Sequence, residues 1–207
     1  MKILLVTGTM GSGKSKYIFD FLESNSYGFA KSEISCFKNI AQTRDGYVIK
    51  SLAYPTKQIR SYNISDICDV LKSSKRCIIV DEYQYFSPEN LKTGISKINQ
   101  SNCELLILAG LQYYANGNEW ESIKAVKDTA QDLKIELEII EMKDHKCDSV
   151  ICINPAKYHK LKSELGTRRF EDLSVKDYDF LCTPCWVEFV KKKEEERIKI
   201  KINYNIF

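Results

Sequence analysis

The sequence lacks several features that would assign it to a special class of protein. Its longest apolar run, around Leu105–Leu111, is far shorter than the roughly 20 residues of a membrane span. Its 31 basic side chains nearly balance its 28 acidic ones, and the formal charge of +3 does not demand a nucleic-acid or membrane partner. No internal repeat of the solenoid kind is present. A globular chain remains, with small acidic ligands such as nucleotides still open.

The N-terminal residues do not resemble an export signal either. The apolar run at 1–8 continues into glycines instead of a small-residue cleavage site, so we expect a cytoplasmic protein. Eight cysteines in such a chain indicate reduced thiols or a metal site, because disulfide frameworks belong to small exported domains. The 43% hydrophobic and 29% charged residues are typical of a folded protein, and 207 residues predict one core with a small appendage.

Short aliphatic runs separated by helical stretches predict the architecture of the first two thirds of the chain. Strands are expected at 2–7, 77–80, 104–109 and, with alternating charges, 135–141, and helices at 14–22 and 67–71. Aliphatic strands connected by helices are typical of a parallel sheet that is covered on both faces. We therefore predict an α/β domain over residues 1–142.

A glycine-rich segment joins the first predicted strand to the first predicted helix and satisfies the phosphate-loop pattern G-x-x-x-x-G-K-S. Its residues are Gly8, Thr9, Met10, Gly11, Ser12, Gly13, Lys14 and Ser15. Glycines let backbone amides wrap a phosphate chain, and the helix N-terminus favours the same anion. Lys14 is expected to hold the β- and γ-phosphates of ATP or GTP, and Ser15 to ligate Mg²⁺.

Two acids follow the second aliphatic strand, and they predict the other half of a nucleotide site. Asp81 ends the run Ile78–Val80 and is expected beside Mg²⁺. Glu82 comes next and is placed to accept a proton from an attacking hydroxyl or water. These two motifs indicate a nucleotide-driven enzyme without naming the acceptor.

The residues of these motifs match a narrower pattern than the general phosphate-loop pattern. The segments 8–15, 80–86 and 109–111 resemble, in this order, the phosphate loop, the Asp-Glu-x-Gln-aromatic-aromatic strand end and the Gly-Leu pair of type II thymidine kinases. The resemblance spans about residues 2–186. It implies a P-loop NTPase-like parallel sheet flanked by helices, with a small C-terminal zinc-binding lasso domain. It also implies transfer of the γ-phosphate of ATP to the 5′-hydroxyl of thymidine, giving dTMP, by a homotetramer.

Within that resemblance, Glu82 is the general base, and Arg44 and Lys14 stabilise the transferring phosphoryl group. Residues that line the nucleoside site are aromatic or apolar, and they are Met10, Tyr85, Leu111, Trp120 and, near the sugar, Tyr178. A plain core role is the alternative for each of them, since methionine and aromatic side chains commonly fill cores.

Four cysteines toward the C-terminus are arranged in pairs. Cys182 and Cys185 have knuckle spacing, Cys147 and Cys152 form a looser pair, and four thiolates would close a tetrahedral Zn²⁺ site. His145 is an alternative ligand. The isolated cysteines are expected to be free thiols, namely Cys36, Cys68, Cys77 and Cys103.

The zinc site defines the predicted appendage. We predict a lasso domain over 143–190, with the lasso between Tyr158 and Tyr178, and a charged tail over 191–207. The tail is interpreted as a solvated segment, an edge strand or an oligomer contact.

The chain departs from the family pattern at several places, among them the lasso, where Val175-Lys176-Asp177 replaces a pair of glycines. Where the family has Asp-x-Arg, the segment 41–45 reads Ala-Gln-Thr-Arg-Asp, so that Arg44 aligns and the aspartate does not. Gln112 stands where the family tends to have Asp. Two alternatives therefore stay open: a P-loop ATPase that activates water, and a non-catalytic nucleotide-binding module with a structural zinc site. A nucleic-acid-binding knuckle is disfavoured by the near-neutral charge.

Overall fold

The computed structural model describes residues 1–42, 46–114, 116–143, 146, 148, 149, 152–154, 156–161 and 178–204. The strands in this part of the chain are β1 (Lys2–Gly8), β2 (Ile34–Asn39), β3 (Val48–Lys50), β4 (Gln58–Arg60), β5 (Tyr62–Ile64), β6 (Cys77–Asp81), β7 (Leu105–Leu111), β8 (Glu136–Met142), β9 (Tyr158–Leu161) and β10 (Tyr178–Leu181). The helices are α1 (Lys14–Ser24), α2 (Pro88–Asn99), α3 (Glu121–Asp132) and α4 (Thr183–Tyr204), and 3-10 helices cover Lys31–Glu33, Ile67–Ser73 and Tyr83–Tyr85.

A parallel sheet forms the centre of the molecule. Within the described residues it has six strands in the order β5-β2-β6-β7-β1-β8, and every neighbouring pair is parallel. The predicted α/β class and all four predicted strands are confirmed. Asp81 pairs in register with Ala109, and Gly8 with Leu111. The carboxyl ends of β6, β7 and β1 therefore meet at one edge, which is where parallel α/β sheets bind ligands.

Both faces of the sheet are covered because successive residues of each strand point to opposite sides. Ile3 and Leu5 pack into the cluster that contains α2 and α3, with Ile95 and Val126 as members. The alternate β1 residues Leu4 and Val6 pack with α1 and belong to a second cluster, which includes Ile18, Phe19, Ile79 and Ile107. Two-sided burial explains why these strands read as unbroken aliphatic runs.

Two small antiparallel pairs lie outside the main sheet, β3 with β4 and β9 with β10. Helix α4 starts directly after β10 and continues without a break through residue 190 to Tyr204. The charged segment is thus helical, and the interpretation of an edge strand is wrong. Lysine and glutamate are good helix formers, and the pairs Lys192–Glu188 (2.7 Å) and Lys193–Glu196 (3.3 Å) have the helical spacing that supports such a segment.

The segment expected as a helix at 67–71 is a 3-10 helix instead, over Ile67–Ser73. Asp66 caps its start by accepting a hydrogen bond from the Cys68 backbone N–H at 2.8 Å. No helix in the described part of the chain combines the length and the apolar character that a membrane span requires.

Candidate functional site

The phosphate loop joins β1 to α1 in a conformation that depends on glycine. Gly13, the residue before α1, has φ 94° and ψ 7°, a left-handed geometry that costs other residues energy. Gly8 lies against Ser12 and Met142, and a Cβ there would stand 2.8 Å from the Met142 carbonyl oxygen. The hydroxyls of Thr9 and Ser12 are buried without a hydrogen-bond partner among the described residues. Because buried hydroxyls normally have partners, this loop fits a phosphate chain.

Lys14 begins α1 and is only 9% exposed. Its Nζ donates a hydrogen bond to the Thr9 carbonyl oxygen at 2.6 Å, which holds the side chain across its own loop. Burial lowers the pKa of Lys14, and the charges of Glu82 and Asp81 act in the opposite direction. The Lys14 ammonium therefore contacts its own loop and interacts electrostatically with both predicted acids.

Asp81 lies at the carboxyl end of β6 and is 7% exposed. Burial, followed by the charge of Glu82, raises its pKa to about 7, while Lys14 and Lys38 lower it. A buried carboxylate beside another acid is stabilised by added positive charge. Oxygen donors such as Asp81 and the Ser15 hydroxyl in the first turn of α1 are what Mg²⁺ prefers, so the donor set fits this ion.

Glu82 is oriented by its backbone and by the Gln84 side chain. Its φ of 59° and ψ of 38° are left-handed, and its N–H donates to Asp81 Oδ1 at 3.1 Å. Gln84 Nε2 donates to Glu82 Oε2 at 2.6 Å, while Gln84 Oε1 accepts from the Leu111 N–H at 3.2 Å. The fixed N–H of Leu111 thereby decides which end of the Gln84 amide faces the acid.

Gly110 makes room for this arrangement. A Cβ at Gly110 would collide with Gln84 Oε1 and would lie 2.8 Å from the Tyr83 ring. The Gly-Leu pair that carried the family resemblance is thus required by packing, because only glycine lets the Gln84 amide reach the backbone of β7.

A cavity of about 390 Å³ opens beside this edge of the sheet. Its walls are mostly aromatic and comprise Tyr85, Leu111, Tyr113, Tyr114, Asn116, Trp120 and His159. Tyr114 stacks on Trp120 with ring centroids 3.7 Å apart, and Tyr85 meets the same indole edge-on at 5.7 Å. The buried Nε1–H of Trp120 has no acceptor among the described residues. Volume, flat walls and a spare donor fit a planar heterocycle.

The structure brings the five predicted nucleoside-site residues together. Met10, Leu111 and Tyr178 share one buried cluster with Trp120 packed against it, and Tyr85 contacts Trp120. Tyr85, Leu111 and Trp120 line the cavity itself, whereas Met10 and Tyr178 are buried at 8% and 3% exposure.

Sequence reasoning missed four residues of the cavity wall, namely Tyr113, Tyr114, Asn116 and His159. The adjacent Tyr113 and Tyr114, which follow Gly110-Leu111 after one intervening residue, were the available signal. Nothing in the local sequence indicated His159, which β9 brings to the cavity from far along the chain.

Three of the four predicted zinc ligands are gathered at the start of α4. The sulfur atoms of Cys152, Cys182 and Cys185 lie within 4.8 Å of one another, and the first two are 3.5 Å apart. A cluster of three thiols fits Zn²⁺, which takes thiolate ligands in tetrahedral sites. The isolated cysteines are free, and burial raises the pKa of Cys36 to about 12, so it is an inert thiol.

Several predicted features lie outside the described residues. These are Arg44, Cys147, His145 and the part of the lasso at 162–177. Gln42, which precedes that gap, is described, and its Nε2 lies 3.4 Å from Glu82 Oε1.

The parallel sheet, the glycine-dependent loop and the acids at the end of β6 define a P-loop nucleotide-binding protein of the α/β class. A search of curated proteins found no match to the chain. The family model described as thymidine kinase matches residues 1–165, which is most of the 207 residues. The chain belongs to the thymidine kinase family and is an ATP-dependent phosphotransferase that acts on a nucleoside.

Proposed function

We propose that this chain transfers the γ-phosphate of ATP to the 5′-hydroxyl of thymidine with Glu82 as the general base. One observation carries the assignment. Glu82 interacts electrostatically with the Lys14 ammonium of the phosphate loop, and Gln84 links it by hydrogen bonds to the N–H of Leu111, a residue of the aromatic cavity wall. These two connections support a base that serves a phosphoryl donor at the loop and a nucleoside in the cavity.

The reaction follows from these positions. The 5′-oxygen attacks the γ-phosphorus and gives its proton to a Glu82 oxygen, while the bond from the γ-phosphorus to the bridging oxygen breaks and ADP leaves. Lys14 and the loop amides offset the negative charge that the phosphates carry. Arg44 is proposed, from the family resemblance, to act on the transferring group. Positioning supplies much of the rate, since two bound reactants behave as an intramolecular pair.

Mg²⁺ would be held by Ser15 and Asp81, and when bound it neutralises phosphate charge. Burial is the main cause of the raised pKa of Asp81, so this carboxyl group is suited to a position next to a cation.

The aromatic cavity is proposed to hold the base. Trp120 and Tyr85 offer flat faces and edges to the ring, and the spare Nε1–H of Trp120 suits a carbonyl oxygen of a pyrimidine. Met10 and Tyr178 are proposed to support the nucleoside site from the buried cluster behind Leu111.

A structural Zn²⁺ is proposed at Cys152, Cys182 and Cys185, with Cys147 as fourth ligand. Asp148 supports this assignment, because its N–H donates to the Phe180 carbonyl oxygen and its carboxylate accepts from the Phe180 N–H, both at 2.7 Å. These bonds hold the residue after Cys147 beside β10, two positions from Cys182. The ion would close the chain around β9 and β10 and has no part in the chemistry.

The remaining proposals are a homotetramer, which the resemblance to type II thymidine kinases implies, and a cytoplasmic location and a domain boundary at 142/143, which the sequence predicts. The predicted boundary at 190/191 falls inside α4, which runs from Thr183 to Tyr204. Light scattering tests the first, since a tetramer has four times the 23.9 kDa mass of the chain.

A steady-state assay with Mg·ATP tests the function. ADP and nucleoside monophosphate are measured with thymidine, deoxyuridine, deoxycytidine, a purine deoxynucleoside and no acceptor. We expect dTMP and ADP in equal amounts with thymidine. Equal ADP release without an acceptor would indicate an ATPase, and nucleotide binding without turnover would indicate a non-catalytic module.

Glu82→Gln tests the general base. We expect kcat to fall by about two to four decades, because this is the usual contribution of a positioned base, with ATP affinity retained. Glu89→Gln, at an exposed acid in the first turn of α2, is the control. Turnover near the wild-type rate in the Glu82 variant would contradict the role.

A further inference from the structure

The surroundings of Gln42 give a physical reason for the departure from the Asp-x-Arg pattern in this segment. Gln42 is 8% exposed, and its Nε2 donates to Glu82 Oε1 at 3.4 Å. Gln84, which is 2% exposed, donates to the other carboxylate oxygen. Each oxygen of Glu82 therefore accepts a hydrogen bond from a buried amide, one from the segment after β2 and one from the 3-10 helix after β6.

We propose that Gln42 is a positioning residue that, together with Gln84, holds the Glu82 carboxylate in place for the transfer reaction. We name this pair of glutamines the amide clamp. The inference rests on the proposed function of Glu82, and it concerns a residue that acts on the reaction through Glu82.

The backbone delivers Gln42 to this position. Asn39, the last residue of β2, accepts the Ala41 N–H on its side chain at 2.8 Å and the Gln42 N–H on its carbonyl oxygen at 3.1 Å. The chain thus turns immediately after β2. Because β2 and β6 are paired in parallel, with Lys38 opposite Asp81, the turn places Gln42 beside the residue that follows Asp81.

A neutral amide suits this place better than an acid would. Asp81 and Glu82 are adjacent acids, and the charge of Glu82 already contributes to the raised pKa of Asp81. The described cations that act on Asp81 are Lys14 and Lys38. A third carboxylate would add repulsion, whereas an amide supplies a donor and no charge. In the segment where the family has an aspartate, Gln42 thus has a different function, which is to orient the general base.

Orientation matters because a general base works only within hydrogen-bond reach of the proton that it takes. With one amide, the carboxylate still rotates about the bond to that donor. With two donors, one on each oxygen, its plane is fixed. Loss of Gln42 therefore reduces turnover while it leaves substrate binding unchanged.

Gln42→Leu and Gln42→Glu test the clamp, with Gln131→Leu at an exposed site on α3 as control. For Gln42→Leu we expect kcat to fall about ten- to hundredfold, the value of a hydrogen bond to a charged group. We expect the KM for thymidine and the Kd for Mg·ATP to stay within about threefold, since the bond orients the base and binds neither substrate.

For Gln42→Glu we expect at least an equal fall in kcat, because an ionised carboxylate cannot donate a hydrogen bond. A wild-type kcat in Gln42→Leu would overturn the proposal. So would a rise in KM or Kd that accounts for the whole loss, since that result indicates a general structural defect.

The Glu82→Gln background separates positioning from structure. There is no carboxylate left to orient in that background, so adding Gln42→Leu is expected to change kcat by less than about twofold. A loss that multiplies with the loss caused by Glu82→Gln would show that Gln42 acts independently of Glu82 and would overturn the clamp.

Crystal structures of the wild type and of Gln42→Leu give a readout that does not depend on turnover. The clamp predicts the Gln42 amide within hydrogen-bond distance of Glu82 in the wild type and a rotated Glu82 carboxylate in the variant. An unchanged carboxylate would overturn it. If the wild type makes no dTMP, the proposed function fails, and this structural comparison decides the clamp by itself.

Discussion

Glu82 has a left-handed backbone conformation that residues other than glycine seldom adopt. A residue other than glycine in the left-handed region costs about 1–2 kcal/mol, and the rest of the fold offsets this cost at Glu82. The turn directs Glu82 away from the direction of β6. Asp81 and Glu82 therefore have different neighbours. Asp81 remains buried near Lys14, and Glu82 contacts the two glutamines. Two neighbouring acids are thereby suited to two tasks.

His159 is a second residue whose environment differs from that of its unfolded form. It is 3% exposed, its ring meets Tyr178 edge-on at 5.3 Å, and its Nδ1 has no hydrogen-bond partner in the part of the chain that the structure describes. Burial, and then the charge of Lys14, lower its pKa to about 4. The imidazole is therefore neutral at pH 7.

This environment predicts a pH-dependent loss of stability. The unfolded chain binds a proton at His159 near the ordinary pKa of about 6.5, whereas the folded chain does so only near 4, so stability is lost as the pH falls between these values. From pH 7 to pH 5 the wild type is expected to lose about 2 kcal/mol more than His159→Gln. Urea unfolding of both proteins at the two pH values measures this difference.

Other groups that titrate in this range, Asp81 among them, are present in both proteins and cancel in the comparison. Equal losses of stability in the two proteins would mean that the imidazole reaches solvent in the folded state.

At the scale of elements, α2 packs unusually close to the 3-10 helix that precedes β6. Gly94 of α2 lies against Ile67, and a Cβ at this position would overlap the Ile67 Cγ2 atom. A glycine inside a helix normally costs about 1 kcal/mol relative to alanine. Here the glycine is required by the short distance between two elements that cover the same face of the sheet.

Gly94→Ala is accordingly expected to destabilise the protein by about 1–3 kcal/mol, the cost of overpacking, although the same change in an exposed helix stabilises. Denaturant unfolding measures the effect, with Thr93→Ala on the exposed face of α2 as control. In an Ile67→Ala background the cost of Gly94→Ala is expected to disappear. A cost that persists there would assign it to the helix backbone instead of the contact.

The elements differ in how far local sequence predicts them. The runs that form β1, β6 and β7 are buried on both faces, so their aliphatic character predicted them. Strands β3, β4 and β5 have three residues each, with polar or exposed members, and their pairing depends on partners elsewhere in the chain. The order of strands in the sheet is equally non-local and could not be predicted.

The candidate site divides in the same way. The phosphate loop and the acids at 81–82 are each contained in one short segment, so their spacing was informative. His159 and Gln42 take part through contacts made in three dimensions, with Gln42 bonded to a residue 40 positions away. In the sequence, Gln42 is only part of a departure from a family pattern, because the local sequence does not show its partner Glu82.

At the scale of the whole molecule, packing contacts connect the cysteine cluster to the aromatic cavity. Cys182 directly follows β10, and Trp186 of α4 packs with Cys182 and Tyr158. Gly117 lies in the loop that contributes Asn116 to the cavity wall, and it is so close to Trp186 that a Cβ would collide with the indole. His159, another residue of the cavity wall, belongs to β9, which is paired with β10. The phosphate loop, in contrast, is built on β1 and α1.

This arrangement predicts that loss of the proposed Zn²⁺ site weakens nucleoside binding before it affects ATP binding. For Cys182→Ser we expect a zinc content below one ion per chain and a KM for thymidine raised by about tenfold or more, while the Kd for ATP changes little. Cys68→Ser, which alters a partly exposed thiol outside the cluster, is the control. Metal analysis, steady-state kinetics and nucleotide titration provide the three readouts.

A Kd for ATP that rises as much as the KM for thymidine would mean that the cluster supports the entire fold. An unchanged KM in a zinc-free variant would mean that β9 and β10 keep the cavity closed without the metal.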